Sequence, residues 1–128
     1  MSPLEKEIDE LLDNSFEKNE KGFQSRLIFD THFIGFKGHF PDTPVLPGIV
    51  MIQLMILMCE RAAGTGYRLA CIKDARFTEP VLPGEKITAS LPHFGETKEG
   101  VKVKGIFYKG EKTAAGITLL LEPEQRRE

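Results

Sequence analysis

The hydrophobic positions of the 128-residue chain change period several times, and each change marks an element. Between Pro3 and Asp13, Leu4, Ile8, Leu11 and Leu12 recur at helical spacing behind an early proline and acidic residues, predicting a short amphipathic helix. "FQSRLIFDTHFIGFKGHF" (Phe23 to Phe40) alternates only partially and is rich in Phe and Ile, predicting one or two strands. The prolines of "PDTPVLPG" favour a stiff, extended loop. From Gly48 to Ala63 the pattern turns helical, and ten of the twelve residues from Ile49 to Glu60 are apolar. Such a helix is predicted to be buried on every side.

"GTGYR" breaks that helix, and "LACIKDARFTEP" reads as a strand ending at Pro80. "VLPGEK" is a turn and "KITASLPHFGE" a further strand. "TKEG" turns the chain into "VKVKGIFYKGEKTAAGITLLLE", which alternates on either side of "KGEK", and "PEQRRE" is a frayed polar tail. No linker or repeat interrupts this order, so residues 1–128 are expected to form one domain. One apolar helix with four or more mostly antiparallel strands around it predicts an α+β fold, a curved sheet wrapped round a long central helix.

Composition narrows the class without choosing a function. With 41% apolar and 28% charged residues and a net charge of −2, the chain has the profile of a globular protein and lacks the basic excess of nucleic-acid binders. The run Ile49 to Cys59, broken by Gln53, is too short for a membrane span. "MSPLEKEIDELL" has no basic stretch leading into an apolar one, so no secretory signal is expected. Cys59 and Cys71 make no metal or redox spacing and are expected as buried free thiols in a reducing cytoplasm.

The candidate chemistry gathers at the start of the apolar helix. His39 stands between Gly38 and the "FP" of Phe40 and Pro41, just before a helix whose first N–H groups lack partners and whose dipole is positive there. A carbonyl oxygen docked at Gly48 would be polarised as in an oxyanion hole. Gln53 lies among Ile49, Val50, Ile56 and Leu57, so its amide needs a polar partner: backbone, water or substrate. A lone histidine beside a loop serves structure more often than chemistry, and a lone glutamine in a helix is usually a satisfied core amide. Met51, Met55 and Met58 read as core filling. His32 and His93 have no partner at ligand spacing, so no metal is expected. Residue types alone reach a pocket at a helix N-terminus with a histidine, and no further.

Two motifs carry more. "GHFPDTPVLPG" and "IKDARFTEPVLPGEKI" (Ile72 to Ile87) resemble the "GHFPGxPVMPG" and "ARF…PVxPGD" segments of the hotdog-fold (3R)-hydroxyacyl-acyl carrier protein dehydratases, closest to the FabZ type, and the likeness covers roughly residues 20 to 122. The resemblance implies a hotdog fold and dehydration of 3-hydroxyacyl thioesters to trans-2-enoyl thioesters in fatty-acid-type synthesis. His39 would take the α-proton and Gly48 N–H would hold the thioester carbonyl. Phe40, Pro47 and Leu57 would line the acyl tunnel. No cofactor is implied beyond the phosphopantetheine arm of an acyl carrier protein, for whose docking Lys37, Arg68, Lys73 and Arg76 are candidates. The site would form between subunits of a homodimer or a trimer of dimers.

At the place of the family's helix carboxylate, five residues after Gly48, stands Gln53. A carboxamide can hold a water or a hydroxyl but carries no titrating proton. Glu60 lies seven residues on, ~10 Å along a helix, and Asp42 is a weak substitute. Four readings therefore stand: a dehydratase working largely through His39, with Gln53 positioning the hydroxyl or a water; a non-catalytic acyl-thioester or carrier-protein binder; a heteromeric partner of a true dehydratase; and, least favoured, a hotdog thioesterase.

Overall fold

The computed structural model describes residues 1–36, 44–92 and 94–124. Helix α1 (Pro3–Asp13) starts on a capping box, in which Ser2 Oγ accepts from Glu5 N–H and the Glu5 carboxylate accepts from Ser2 N–H. Its buried residues Ile8 and Leu12 join the core. Arg61 of the central helix α2 (Gly48–Ala63) clamps α1: its Nη2 donates to Asp9 O at 2.7 Å, Asp9 Oδ1 at 2.9 Å and Asp13 Oδ1 at 2.6 Å. α2 ends at Gly64, whose φ of 71° is the left-handed conformation that glycine adopts without strain.

Among the described residues, seven strands form one antiparallel sheet: β1 (Glu17–Asn19), β2 (Gly22–Ile28), β3 (Tyr67–Phe77), β4 (Lys86–Pro92), β5 (Gly95–Thr97), β6 (Gly100–Lys109) and β7 (Lys112–Pro123). Their order is β1-β2-β4-β6-β7-β3, with β5 paired to β6. β6 and β7 are joined by a two-residue turn with Gly110 at φ 60°, and their inward residues alternate with outward ones as a half-buried sheet requires. Val103, Phe107, Ile117 and Leu119 are completely buried on the face that curves about α2. Gly105 leaves room there for Met55, whose Cε lies 2.7 Å from where a Cβ would stand.

The predicted helices match in extent, and four expectations change. Ile34–Phe36 is a 3-10 turn, not strand: Asp30 O accepts from Phe33 N–H, and Asp30 Oδ1 accepts from His32 N–H. The rings of Phe29, Phe33 and Phe36 bury themselves against one another at centroid distances of 4.6 and 5.8 Å, without needing a ladder. "KITASLPHFGE" divides into β4 and β5, and the short β1 had no apolar signal at all. α2 is not buried on every side: Ile49 is 58% exposed and Gln53 only half-buried, because the sheet covers one side of the helix. Cys59 is buried but Cys71 is exposed, since it sits on β3 at the edge of the sheet.

Candidate active site

The loop leading into α2 and the segment leaving β3 run side by side. Leu46 N–H donates to Val81 O at 2.8 Å, joining the two. Thr78 and Glu79 N–H both donate to Ala114 O, at 2.8 and 3.2 Å, a bulge-like departure that ends the ladder and re-aims the chain. Thr78 Oγ1 donates to Thr113 O at 2.6 Å, and Lys109 Nζ donates to Pro80 O at 2.7 Å. The five bonds fix residues 78–81 as one wall of a cavity of about 490 Å³. Val45, Leu46, Pro47, Gly48 and Met51 form the other wall, with Phe77 between them.

The first turn of α2 opens on this cavity without a cap. Its N-cap is Pro47, which has no side-chain oxygen to offer. Pro47 O accepts from Val50 and Met51 N–H, while the N–H groups of Gly48 and Ile49 have no acceptor among the described residues. Two donors with no described acceptor, at the positive end of a 16-residue helix and against mostly apolar walls, suit a ligand carbonyl. Gly48 is glycine for a further reason. A Cβ there would stand 2.6 Å from Phe77 Cζ, so the Phe77 ring packs tip-on against the helix start.

The comparisons with known proteins bear on this geometry. The family model described as ApeI-like, the ApeI dehydratase family, matches residues 15–116. The chain belongs to the ApeI-like dehydratase family. Among the relatives of this ApeI-like chain is the 3-hydroxyacyl-[acyl-carrier-protein] dehydratase FabZ of Legionella pneumophila (strain Corby), 30% identical over 95 residues, covering 66% of this chain and 63% of that one. FabZ of Symbiobacterium thermophilum is 34% identical over 92 residues, covering 66% and 64%. The chain thus spans a little under two thirds of the length of these curated relatives. Among solved structures, a chain of the dehydratase heterocomplex ApeI:P from Xenorhabdus doucetiae superposes with a TM-score of 0.73 at 22% identity, covering 84% of this chain and 94% of that one. A mutant of the fluoroacetyl-CoA-specific thioesterase FlK reaches 0.63 at 17% identity, covering 84% and 90%. The fold is the hotdog fold.

Of the residues singled out from the ApeI-like sequence, Pro47 and Gly48 come together in the cavity. His39, Phe40, Lys37 and Asp42 lie outside the described residues, as does His93. Gln53 does not line this cavity. Met51 does, and two residues on a helix are turned ~200° apart, so Gln53 projects from the opposite side, on the stripe of exposed Ile49. Leu57 is core, 3% exposed and ~13 Å along the helix from Gly48.

Arg68, Lys73 and Arg76 all lie on β3, and each is paired within the chain: Arg68 with Glu122 at 2.6 Å, Lys73 with Glu99 at 2.8 Å, Arg76 with Asp74 at 3.5 Å. Arg68 stands nine residues from Phe77, ~30 Å along an extended strand, so within one chain it is remote from the cavity. Among the described residues, no group of three His, Cys, Asp or Glu is arranged to hold a metal. No helix among them is long and apolar enough to cross a membrane.

Neither Phe77 nor Glu79 is among the site residues that the sequence suggests, where "ARFTEP" is a strand end and part of the second family-like segment. The available signal was the pair of polar residues, Thr78 and Glu79, between Phe77 and Pro80 at a strand terminus.

Proposed function

We propose that this chain removes water from (3R)-3-hydroxyacyl thioesters to give trans-2-enoyl thioesters, the acyl group arriving on the phosphopantetheine arm of an acyl carrier protein. The observation that carries this reading is the uncapped start of α2, where Gly48 N–H opens on an apolar cavity in a chain of a dehydratase family. In this reading the thioester carbonyl accepts from Gly48 N–H. Negative charge gathers on that oxygen as His39 takes the C2 proton, and a pre-aimed donor of this kind is worth ~10²–10³ in rate.

A second reading, as one subunit of a heteromer, is favoured by β3. Ten residues of this edge strand are exposed or half-buried, including Ile72 at 46% and Phe77 at 52%. A long edge with exposed apolar residues invites pairing with another strand. A solved structural neighbour is part of a dehydratase heterocomplex, so a partner distinct from this chain stands beside a second copy of it as the occupant.

The test is dehydration of a (3R)-hydroxyacyl carrier protein followed by mass spectrometry, with wild type, His39→Ala and Gln53→Glu. Turnover by wild type that His39→Ala abolishes supports the enzyme. Silence of wild type alone, restored by a carboxylate-bearing family partner, supports the heteromeric subunit. Silence in every arrangement rejects both.

A further inference from the structure

The proposed dehydration needs a group that delivers a proton to the departing hydroxyl, and Gln53 has none. Among the described residues lining the cavity at Gly48, Glu79 is the only ionisable side chain. It is half-buried, and its carboxylate makes no hydrogen bond or ion pair with a described residue. The other described wall residues are apolar apart from Thr78, whose hydroxyl donates to Thr113 O. Its backbone is held, because its N–H donates to Ala114 O and the next carbonyl, Pro80 O, accepts from Lys109 Nζ. The Lys109 ammonium is already engaged with Glu85 at 3.0 Å. A carboxyl on a held backbone, lining the same cavity as the uncapped start of α2, stands where a substrate docked there would meet it.

We propose that Glu79 is the catalytic acid of this site, doing from the loop after β3 what a helix carboxylate does in the FabZ-type motif. This rests on the dehydratase reading above. With the thioester carbonyl on Gly48 N–H, the C2–H bond breaks and its proton goes to His39. The C2–H electron pair becomes the C2=C3 double bond. The C3–O bond breaks with its electrons staying on oxygen, and the Glu79 carboxyl proton completes a water molecule. Loss of a proton from His39 to solvent and uptake of one by the Glu79 carboxylate restore the starting state, so the only products are the enoyl thioester and water.

The experiment measures kcat, KM and the pH–rate profile for the full-length wild type, Glu79→Gln, Glu79→Asp and the double variant Glu79→Gln/Gln53→Glu. The substrate is a (3R)-3-hydroxyacyl pantetheine thioester. The expected result is a fall in kcat of ~10²-fold or more in Glu79→Gln with KM little changed, and partial recovery in Glu79→Asp. The limb of the profile set by the acid should vanish in Glu79→Gln. An active wild type matched within about threefold by Glu79→Gln would overturn the assignment while leaving the dehydratase reading in place. A wild type that turns over nothing would overturn both. Gln53 lies away from this cavity, so the double variant is expected to stay as slow as Glu79→Gln, and full activity there would overturn the assignment.

Discussion

Replacing Gly48 by alanine tests the contact that shapes the cavity. A Cβ there would lie 2.6 Å from Phe77 Cζ and 3.1 Å from Cε1, closer than real side chains pack, so the ring must swing away. It has room to do so, being 52% exposed at the end of an edge strand. Full burial of a phenylalanine is worth ~1.5–3 kcal/mol, so a half-buried ring puts about 1 kcal/mol at stake. Against this, alanine is better than glycine in a helix by up to ~1 kcal/mol, and by less in the first turn. We therefore expect Gly48→Ala to change stability by no more than about 1 kcal/mol in the natural background. In a Phe77→Ala background the clash is gone, and the same substitution should become stabilising by a few tenths to ~1 kcal/mol. Urea denaturation of the four proteins closes the cycle, with an expected coupling of ~1 kcal/mol. An effect of equal sign and size in both backgrounds would refute the tip-on packing of Phe77 on Gly48.

Three further outcomes follow from other contacts. Arg61→Ala removes the clamp on Asp9 and Asp13 and should cost about 1–2 kcal/mol, with hydrogen exchange accelerating first in α1 rather than in the sheet. Burial, with a smaller effect from Glu60, pushes the Cys59 thiol up to about 12. An aromatic disulfide reagent at neutral pH should therefore label the exposed Cys71 at once and Cys59 only on unfolding; two fast thiols would contradict the packing of α2. The Glu85 carboxylate accepts from Leu82 N–H at 2.7 Å and from Lys109 at 3.0 Å, and these bonds hold it below the usual carboxylate range. A carboxylate with a lowered folded value stabilises above its unfolded value and loses that contribution as pH falls through the folded one. The stability gap between wild type and Glu85→Gln should accordingly be flat at neutral pH and close on acidification; a gap that widened in acid would reverse the assignment.

The fold was legible wherever period and burial agree. β6 and β7 alternate because one face meets α2, and the helices announce themselves through Leu4, Ile8, Leu11 and Leu12 and through the run from Ile49. Legibility failed where tertiary context sets burial. "FIGF" has the composition of a strand, yet Asp30 turns the chain and the Phe29, Phe33 and Phe36 rings find one another instead. β3 reads as an ordinary strand, and nothing in "LACIKDARF" reveals that it lies at the edge with Ile72 and Cys71 uncovered. Edge or centre is decided by the order β6-β7-β3, which depends on contacts remote in sequence.

The candidate site divides along the same line. Gly48 was singled out from local logic, because a proline N-cap has no side-chain oxygen to offer the first-turn N–H groups. Gln53 was expected to face the acyl tunnel because it stands at the family's helix-carboxylate position, in a site formed between subunits; within one chain, ~200° of helical rotation from Met51 sends it to the far side of α2. Glu79 was overlooked for the converse reason: thirty-one residues from Gly48, it reaches the same cavity because Leu46 N–H meets Val81 O. That one backbone bond joins two proline-bearing loops that periodicity cannot align. It also makes Gln53 and Glu79 separable, since they lie on opposite sides of one helix. A substitution at Gln53 that altered the cavity's chemistry without another chain present would therefore contradict the structure, whereas one at Glu79 is required to alter it.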